Sequence, residues 1–320
     1  MVLVAPAFRE VMQRHPNAEF TLLTSGDGYS LFRDAESGFE AFWLHGHTPL
    51  IKRLKLLYYW LKLRISKFDK IYCFDTDWKI QKVLRRGAPC VVLRDPTADE
   101  GVVHDALKSL HAVGVNLTRL ADIQKPFIRV SPISVAELEP LLQNHNILKT
   151  DIKVGLNPTF SGLGRKKVQK YKMWPFENWA TLIDKLYRYG EETGQNIKPI
   201  IYLMPEQSWV GEAIAEKCKN EPVLLVPNKN LELFKSYLNS LDLYIGVDTG
   251  ATHLAAGLGI NMIALYCGTW LYGCGPIVSE TSNSIIRAED IYGHGSFLNS
   301  IQPDLVFERA KEKLENKANS

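Results

Sequence analysis

The stretch "LYIGVDTGATHLAAGLG", residues 243–259, decides the fold of this chain. It opens with a continuous apolar run, which predicts a strand buried in a parallel sheet. It closes with small residues, which predict a helix that lies close to that sheet. Between the two stand Asp248, Thr249 and Gly250, which suit a helix N-terminus, and His253 follows one turn later. Because the first N–H groups and the positive dipole end of a helix favour anions, this junction predicts a phosphate site.

The same alternation of strand and helix patterns continues through almost the whole chain. It predicts parallel sheets covered by helices on both faces, and 320 residues suffice for two such α/β, doubly wound domains. Predicted strands lie at 19–24, 39–44, 70–75, 90–94, 152–157, 198–204, 222–227, 242–247, 261–266 and 284–288. Predicted helices lie at 5–14, 51–67, 77–86, 101–114, 176–190, 208–220, 231–240, 250–258 and 303–317.

The domain boundary is predicted near "SPISVAELEPLLQNHNILKTD", because this segment opens on a Ser-Pro break and carries a second proline, Pro140. We predict an N-terminal domain over 1–140, a C-terminal domain over 151–302, and a last helix over 303–320 that packs back on the N-terminal domain. In such folds, ligands bind at the carboxyl ends of the strands.

The chain opens on a helix, whereas a doubly wound domain should begin with a strand, usually a central one. The expectation is therefore that Met1 is an internal start or that the chain is truncated.

Bulk composition excludes several classes of protein. A net charge of +3 is well short of that of a dedicated nucleic-acid binder. Five cysteines without a C-x-x-C motif argue against disulfides and structural zinc. No apolar run resembles a signal peptide or a membrane span, and these features together predict a cytoplasmic protein.

The segment "IGVDTGATHLAAGLG" resembles the D-[ST]-G-x-x-H-L-A motif of glycosyltransferase family 9, the bacterial heptosyltransferases of lipopolysaccharide core synthesis. Four further segments resemble the family in the right order: "PAFREVMQRHPNAEFTLL", "VVHDALKSLHAVGV", "KMWPFENWATLIDKL" and "MIALYCGT". The resemblance implies the GT-B fold, two Rossmann-like domains facing a central cleft, with the donor nucleotide bound mainly by the second.

The resemblance also implies a donor site. Its members are Lys172 for the diphosphate, Asp248, Thr249, Gly250 and His253 in the same pocket, Thr159 as a hydroxyl, and Glu206 for the ribose. Each has a plainer alternative: Lys172 as a solvated lysine, Glu206 as a helix-start acid, and Asp248 as an N-cap. Since a carboxylate repels phosphate, Asp248 is expected to cap or orient the loop, while Thr249, His253 and backbone N–H groups meet the ligand.

The sequence departs from the family in two places. The resemblance implies a Gly-Asp pair immediately before the first helix, with its Asp as general base, and this sequence begins one residue after that pair. The loop before Lys172 is also longer, and its Arg165, Lys166 and Lys167 either contact the diphosphate or form a solvated turn. The D-x-D in "FDTDW", 74–78, is interpreted as loop capping, so no metal and no other cofactor are predicted.

A basic segment, "IKRLKLLYYWLKLRISKFDK", occupies residues 51–70 with seven Lys or Arg and one acid. It predicts an amphipathic helix that contacts an anionic acceptor or membrane surface, or else a buried helix with snorkelling lysines. The candidate contact residues are Lys52, Arg53, Lys55, Lys62 and Arg64.

The sequence thus predicts an inverting, metal-independent glycosyltransferase. It would use a nucleotide-diphosphate sugar, with ADP-heptose as the candidate donor, and a lipopolysaccharide-like or other glycan acceptor at the inner membrane. Two alternatives stay open: a catalytically impaired nucleotide-sugar-binding protein that lacks the general base, and a GT-B nucleotide-sugar epimerase.

Overall fold

The computed structural model divides into two compact units, Met1–Ile128 with Tyr272–Ile277, and Arg129–Leu271 with Val278–Ser320. Each unit is described by itself. The described residues are 2–24, 28, 31–32, 39–43, 58, 61, 65, 68–74, 91–93, 104–160, 169, 171–228, 230–269, 271–278 and 284–318.

Within its described residues, the first unit contains helices and two pairs of parallel strands. After a short 3-10 turn at Val2–Val4, its elements are α1 (Ala5–Arg14), β1 (Phe20–Thr24), β2 (Phe39–Trp43), β3 (Ile71–Cys73), β4 (Val91–Leu93), α2 (Asp105–Ala112) and a 3-10 turn at Leu120–Asp122. Strand β1 pairs with β2, and β3 pairs with β4. The parallel pairing is what the β-α alternation of the sequence predicts.

A buried histidine joins helix α2 to the segment Tyr272–Ile277, which comes from far along the chain. His104 is the N-cap of α2, and its Nδ1 accepts from the backbone N–H of Ala106 at 3.2 Å. Its Nε2 therefore carries the hydrogen and donates to the carbonyl of Gly275 at 3.0 Å. Burial lowers the pKa of His104, so the neutral ring is favoured in the folded chain.

The second unit is built on one six-stranded parallel sheet with the strand order β10-β9-β8-β5-β6-β7. Its elements are α3 (Pro132–Asn144), β5 (Ile152–Asn157), α4 (Phe176–Thr193), β6 (Ile197–Tyr202), α5 (Ser208–Ala215), β7 (Val223–Leu225), α6 (Leu231–Asn239), β8 (Leu243–Val247), α7 (Gly250–Leu258), β9 (Met262–Tyr266), β10 (Ile285–Arg287), α9 (Ala288–Tyr292) and α10 (Pro303–Ala318). Helix α8 (Leu271–Cys274) lies between β9 and β10 in the chain, and its residues after Leu271 belong to the first unit. Short 3-10 turns occupy Pro205–Gln207 and Leu298–Ser300.

The order of the strands reverses between β5 and β8. From β5 the chain moves to β6 and β7, and it then returns to the other side of β5 to form β8, β9 and β10. Asn157, the last residue of β5, pairs with Gly246 of β8. In an open parallel sheet, ligands bind in the crevice at the carboxyl ends of the two strands on either side of such a reversal.

Buried residues fill the strands on the β8 side of this crevice. Every residue of β8 and β9 is buried, as the continuous apolar runs predict. The core against α4 includes Trp174 and Trp179, whose rings meet edge to face with centroids 4.9 Å apart. Packing of this kind holds the strand ends rigidly, and a rigid edge is a suitable base for a binding site.

The C-terminal helix α10 belongs to the second unit. Tyr189 of α4 donates to the carboxylate of Glu315 at 3.1 Å, and its ring lies 6.1 Å from that of Phe307. Helix α10 also packs on β8 and β9. These contacts place α10 on α4 within the second unit, and the packing of this helix on the N-terminal domain stays a prediction.

The segment predicted as the domain boundary is largely helical. Ser131 caps α3 by accepting from the N–H of Ile133 at 3.2 Å, and Pro132 takes the first helical position, where no N–H is needed. Pro140 lies inside the helix and is exposed, so water can reach the carbonyl that it leaves unbonded. The Ser-Pro pair therefore starts a helix rather than a linker, and the domain boundaries at 140 and 151 remain predictions.

Candidate functional site

The crevice between the carboxyl ends of β5 and β8 contains the junction from β8 to α7. Thr249 is the N-cap of α7, with its Oγ1 accepting from the N–H of Ala251 at 3.0 Å. Asp248, which the sequence suggested as a cap, leaves that role to Thr249, because its carboxylate is engaged by a lysine. The first turn of α7 keeps the N–H groups that an α-helix cannot bond internally.

Lys172 and His253 both approach the carboxylate of Asp248. The Nζ of Lys172 lies 2.8 Å from Asp248 Oδ2 and donates to the Asp248 carbonyl at 3.2 Å. The Nε2 of His253 lies 4.0 Å from Asp248 Oδ1. Lys172, which is 76 residues away from Asp248 in sequence, therefore meets Asp248 and His253 beside the start of α7. The carboxylate of Asp248 is therefore the group that both basic side chains share, and its role beside a ligand stays a prediction.

Lys172 is held in place by its chain neighbours. Trp174 is fully buried and donates from its indole N–H to the carbonyl of Ile301 at 2.8 Å. The carbonyl of Tyr171 accepts a hydrogen bond from the Cys267 thiol at 3.2 Å. Anchored residues on both sides fix the backbone at Lys172, and the ion pair with Asp248 fixes its ammonium. Its side chain is 26% exposed, which leaves the ammonium within reach of a ligand.

Gly250 has no side chain, and the space where one would lie is open. A Cβ built at this position meets no other atom within 4 Å, and the backbone is not in the left-handed region. Neither the packing of the protein nor its backbone conformation therefore requires glycine here. The absence of a Cβ leaves room beside the first turn of α7, where a phosphate can approach the backbone N–H groups.

Thr159 lies just beyond the end of β5 and is tied to a residue that sequence reasoning missed. Asn157 Oδ1 accepts from both the backbone N–H and the hydroxyl of Thr159, each at 3.2 Å. Both residues are buried. The turn formed by this Asn at a strand end is an ordinary Asx motif, so the sequence signal was present in "LNPT".

Glu206 follows the neighbouring strand β6, in the 3-10 turn Pro205–Gln207, and is exposed. Among the described residues, no hydrogen bond or ion pair joins it to Lys172 or Asp248. It shares the carboxyl edge of the sheet with them, and its role at the ribose stays a prediction.

An ion pair at the end of β10 fixes the loop after β9. Arg287 donates to the carbonyl of Gly268 at 3.1 Å, and the N–H of Gly268 donates to Glu289 at 2.6 Å. Gly268 has φ 93°, a conformation that favours glycine. Burial raises the pKa of the adjacent Cys267 thiol to about 11, so this cysteine is an inert part of the core. Nothing in the sequence linked "SIIRAED" to this loop.

Several predicted residues lie outside the described part of the chain. They are Lys52, Arg53, Lys55, Lys62 and Arg64 of the basic segment, Arg165, Lys166 and Lys167 of the long loop, and both aspartates of the D-x-D. Within the described residues, no group of three or more His, Cys, Asp or Glu is placed to hold a metal ion. Every helix in the described part of the chain is too short or too polar to cross a membrane.

A lysine and a helix N-terminus at the strand reversal of a parallel sheet are typical of α/β proteins that bind phosphate-bearing ligands. Comparison with known families makes the class specific. The profile of glycosyltransferase family 9 (heptosyltransferase) matches residues 124–289, slightly more than half of the chain. The chain belongs to this family, and it is a glycosyltransferase by class. No curated protein sequence matches it significantly.

Solved structures show the same fold. A glycosyl transferase family 9 protein from Veillonella parvula has a TM-score of 0.77 at 15% identity, covering 98% of this chain and 94% of that one. The ADP-heptose lps heptosyltransferase II of E. coli has a TM-score of 0.75 at 16% identity, covering 99% and 96%. The E. coli heptosyltransferase WaaC with ADP has a TM-score of 0.66 at 16% identity, covering 98% and 95%. The predicted GT-B fold is thereby confirmed.

Proposed function

We propose that this chain transfers a sugar from a nucleotide-diphosphate sugar to a glycan acceptor, in one inverting step that needs no metal. The observation that carries the proposal is the position of Lys172. Its ammonium lies 2.8 Å from Asp248, beside the first turn of α7 and at the strand reversal of the sheet. This is where the positive charge for a diphosphate is needed.

The chemistry follows from the charges in the crevice. When the bond from sugar to phosphate breaks, negative charge develops on the leaving nucleoside diphosphate. Lys172 and the N–H groups of the first turn of α7 stabilise that charge, with Thr249 and His253 as further donors. Without ligand, Asp248 keeps the ammonium in place, and the diphosphate then competes with the carboxylate for it.

The second half of the reaction is removal of a proton from the acceptor hydroxyl. A single displacement by that hydroxyl inverts the anomeric carbon. The family resemblance implies an aspartate as the general base for this step.

ADP-heptose is the donor that we propose, and a lipopolysaccharide-like glycan is the acceptor. Support comes from the family, which is that of the heptosyltransferases, and from two similar E. coli structures, the ADP-heptose lps heptosyltransferase II and the heptosyltransferase WaaC with ADP. We also propose a cytoplasmic protein that contacts the anionic inner membrane through its basic segment. In that segment, Tyr58, Leu61 and Ile65 are helical and exposed at spacings of three and four, which puts them on one face.

Calorimetry of the folded protein with ADP, UDP and GDP tests the donor site. We expect ADP to bind most tightly. If none of the three binds, the donor site is wrong. A His253→Ala variant that binds ADP as well as the parent protein would remove His253 from the site.

Product analysis separates the proposal from the two alternatives. A transferase consumes ADP-heptose only when a heptose-accepting glycan is present and yields an inverted linkage. An epimerase converts a nucleotide sugar without acceptor, and an impaired binding protein yields no product although ADP binds. Flotation with vesicles tests the membrane contact. We expect the protein to bind anionic phosphatidylglycerol vesicles and not zwitterionic phosphatidylcholine vesicles.

A further inference from the structure

A buried run of hydroxyl groups lies beneath the α7 side of the crevice. Thr252 donates its hydroxyl hydrogen to the carbonyl of Val247, and the Tyr244 hydroxyl lies 3.0 Å from Thr252 Oγ1. A threonine hydroxyl has only one hydrogen, which is already used, so Tyr244 is the donor to Thr252. Tyr244 and Thr252 are almost completely shielded from solvent. The phenol of β8 therefore holds the first turn of α7 from inside the protein.

The same phenol reaches the other side of the crevice. Burial raises the pKa of Tyr244, and its hydrogen bonds with Thr252 and Asn157 oppose that rise. Because Asn157 Oδ1 already accepts two hydrogen bonds from Thr159, the side-chain N–H₂ of Asn157 is the group that donates to the phenol oxygen. The donors then point in one direction, from Thr159 through Asn157, Tyr244 and Thr252 to Val247. Hydrogen bonds aligned in this way strengthen one another.

Gly246 makes the position of this phenol possible. A Cβ at residue 246 would collide with the hydroxyl and ring of Tyr244, which stands two residues earlier and so faces the same side of the strand. The backbone at Gly246 is not left-handed, so the glycine is required for space. Gly246 pairs with Asn157 across the two strands of the crevice. The tyrosine thus lies over the strand pair that the ligand site bridges.

We propose that Tyr244 is a positioning residue of the donor site. It fixes the first turn of α7 and the Asn157–Thr159 turn relative to one another before the ligand arrives. Groups that are already in place need not be ordered on binding, so the nucleotide binds more tightly. The consequence for affinity rests on the proposed function, whereas the fixing of the two segments does not.

Hydrogen exchange of the ligand-free protein tests the fixing directly. Tyr244→Phe removes the hydroxyl and keeps the ring. Tyr237→Phe is the matched control, because Tyr237 is equally buried and its hydroxyl donates to the carbonyl of Ile200 in β6 rather than to a residue of α7. We expect amides in Gly250–Leu258 to exchange about fivefold faster in Tyr244→Phe, corresponding to the loss of one buried hydrogen bond. In the control, the exchange rates of these amides should stay unchanged when they are compared with the rates of the amides in β9. Equal exchange in the two variants would overturn the proposal.

ADP binding tests the consequence for the site. We expect the dissociation constant to rise about fivefold or more in Tyr244→Phe and to stay unchanged in Tyr237→Phe. Thr252→Val should reproduce the loss, and Thr252→Ser, which keeps the hydroxyl, should restore binding. Equal losses in the valine and serine variants would refute the positioning role. If ADP, UDP and GDP all fail to bind the parent protein, the proposed function fails, while the exchange result still decides what Tyr244 does.

Discussion

Replacing Lys172 by methionine tests the charge balance of the crevice. The change removes an ammonium that lies 2.8 Å from Asp248 and leaves a carboxylate that is only 11% exposed. Breaking a fully buried ion pair costs roughly 3 to 5 kcal/mol. Since 26% of the Lys172 side chain is exposed and solvent screens the pair, we expect a loss of about 2 kcal/mol in unfolding free energy.

The effect on ligand binding should be larger than the effect on stability. A diphosphate loses a charge-assisted hydrogen bond, which is worth about 1.5 to 3 kcal/mol, or about 10- to 100-fold in affinity. It also meets the negative charge of Asp248 without its neutralising partner. We therefore expect ADP to bind Lys172→Met about 100-fold more weakly than the parent protein, and adding Asp248→Asn to recover about tenfold.

Calorimetry with ADP measures these differences, and another lysine provides the control. Lys185 pairs with Asp304 at 2.7 Å and is 29% exposed, close to the value for Lys172, but it joins α4 to α10. Lys185→Met should bind ADP as the parent protein does. If Lys172→Met with Asp248→Asn binds ADP no better than Lys172→Met alone, the carboxylate does not act as we argue.

Three further predictions concern tryptophan, glycine and histidine positions. Trp174→Ala should cost about 3 to 5 kcal/mol by urea unfolding, because the indole is fully buried and bonded, whereas Trp209→Ala, at 51% exposure, should cost less than about 1 kcal/mol. Gly250→Ala should keep the free energy of unfolding within about 0.5 kcal/mol but weaken ADP binding about tenfold or more. In Gly155→Ala, where the new Cβ meets Leu241, the free energy of unfolding should fall by about 1 to 3 kcal/mol. Burial lowers the pKa of His104 from 6.5, so below about pH 6.5 the unfolded chain binds more protons than the folded chain. The free energy of unfolding therefore falls as the pH drops through that value. In His104→Asn, the urea midpoint should fall less between pH 7.5 and pH 5.5 than in the parent protein.

The sequence was most informative where the signal was local. The strand predicted at 242–247 is observed at Leu243–Val247, and the helix predicted at 250–258 is observed at Gly250–Leu258. Both follow from short-range patterns, an apolar run and a run of small residues after a cap. The polar residues between them could be placed at a strand end, and so at a ligand edge, without knowing any tertiary contact.

Contacts between distant segments were not predictable in the same way. The sequence does not state that β8 returns to the far side of β5, and only that pairing brings Asn157 beside Gly246. Tyr244 therefore appeared to be an ordinary apolar strand residue, although its hydroxyl connects two segments. The partner of Asp248 was equally hidden, because Lys172 is 76 residues away in sequence and nothing local joins them. Polar networks of this kind depend on the fold as a whole.

The segment Tyr272–Ile277 has a consequence for how the molecule can be divided. It belongs to the first unit, although the chain on both sides of it belongs to the second. The boundary near residue 128 is therefore one of several places where the chain passes from one unit to the other. A fragment that starts at Arg129 would carry Gly275 without His104, the residue that binds its carbonyl. Dissecting this enzyme into two independent halves by one cut would therefore leave each half incomplete, and a cut that respects both units would need to excise this six-residue segment as well.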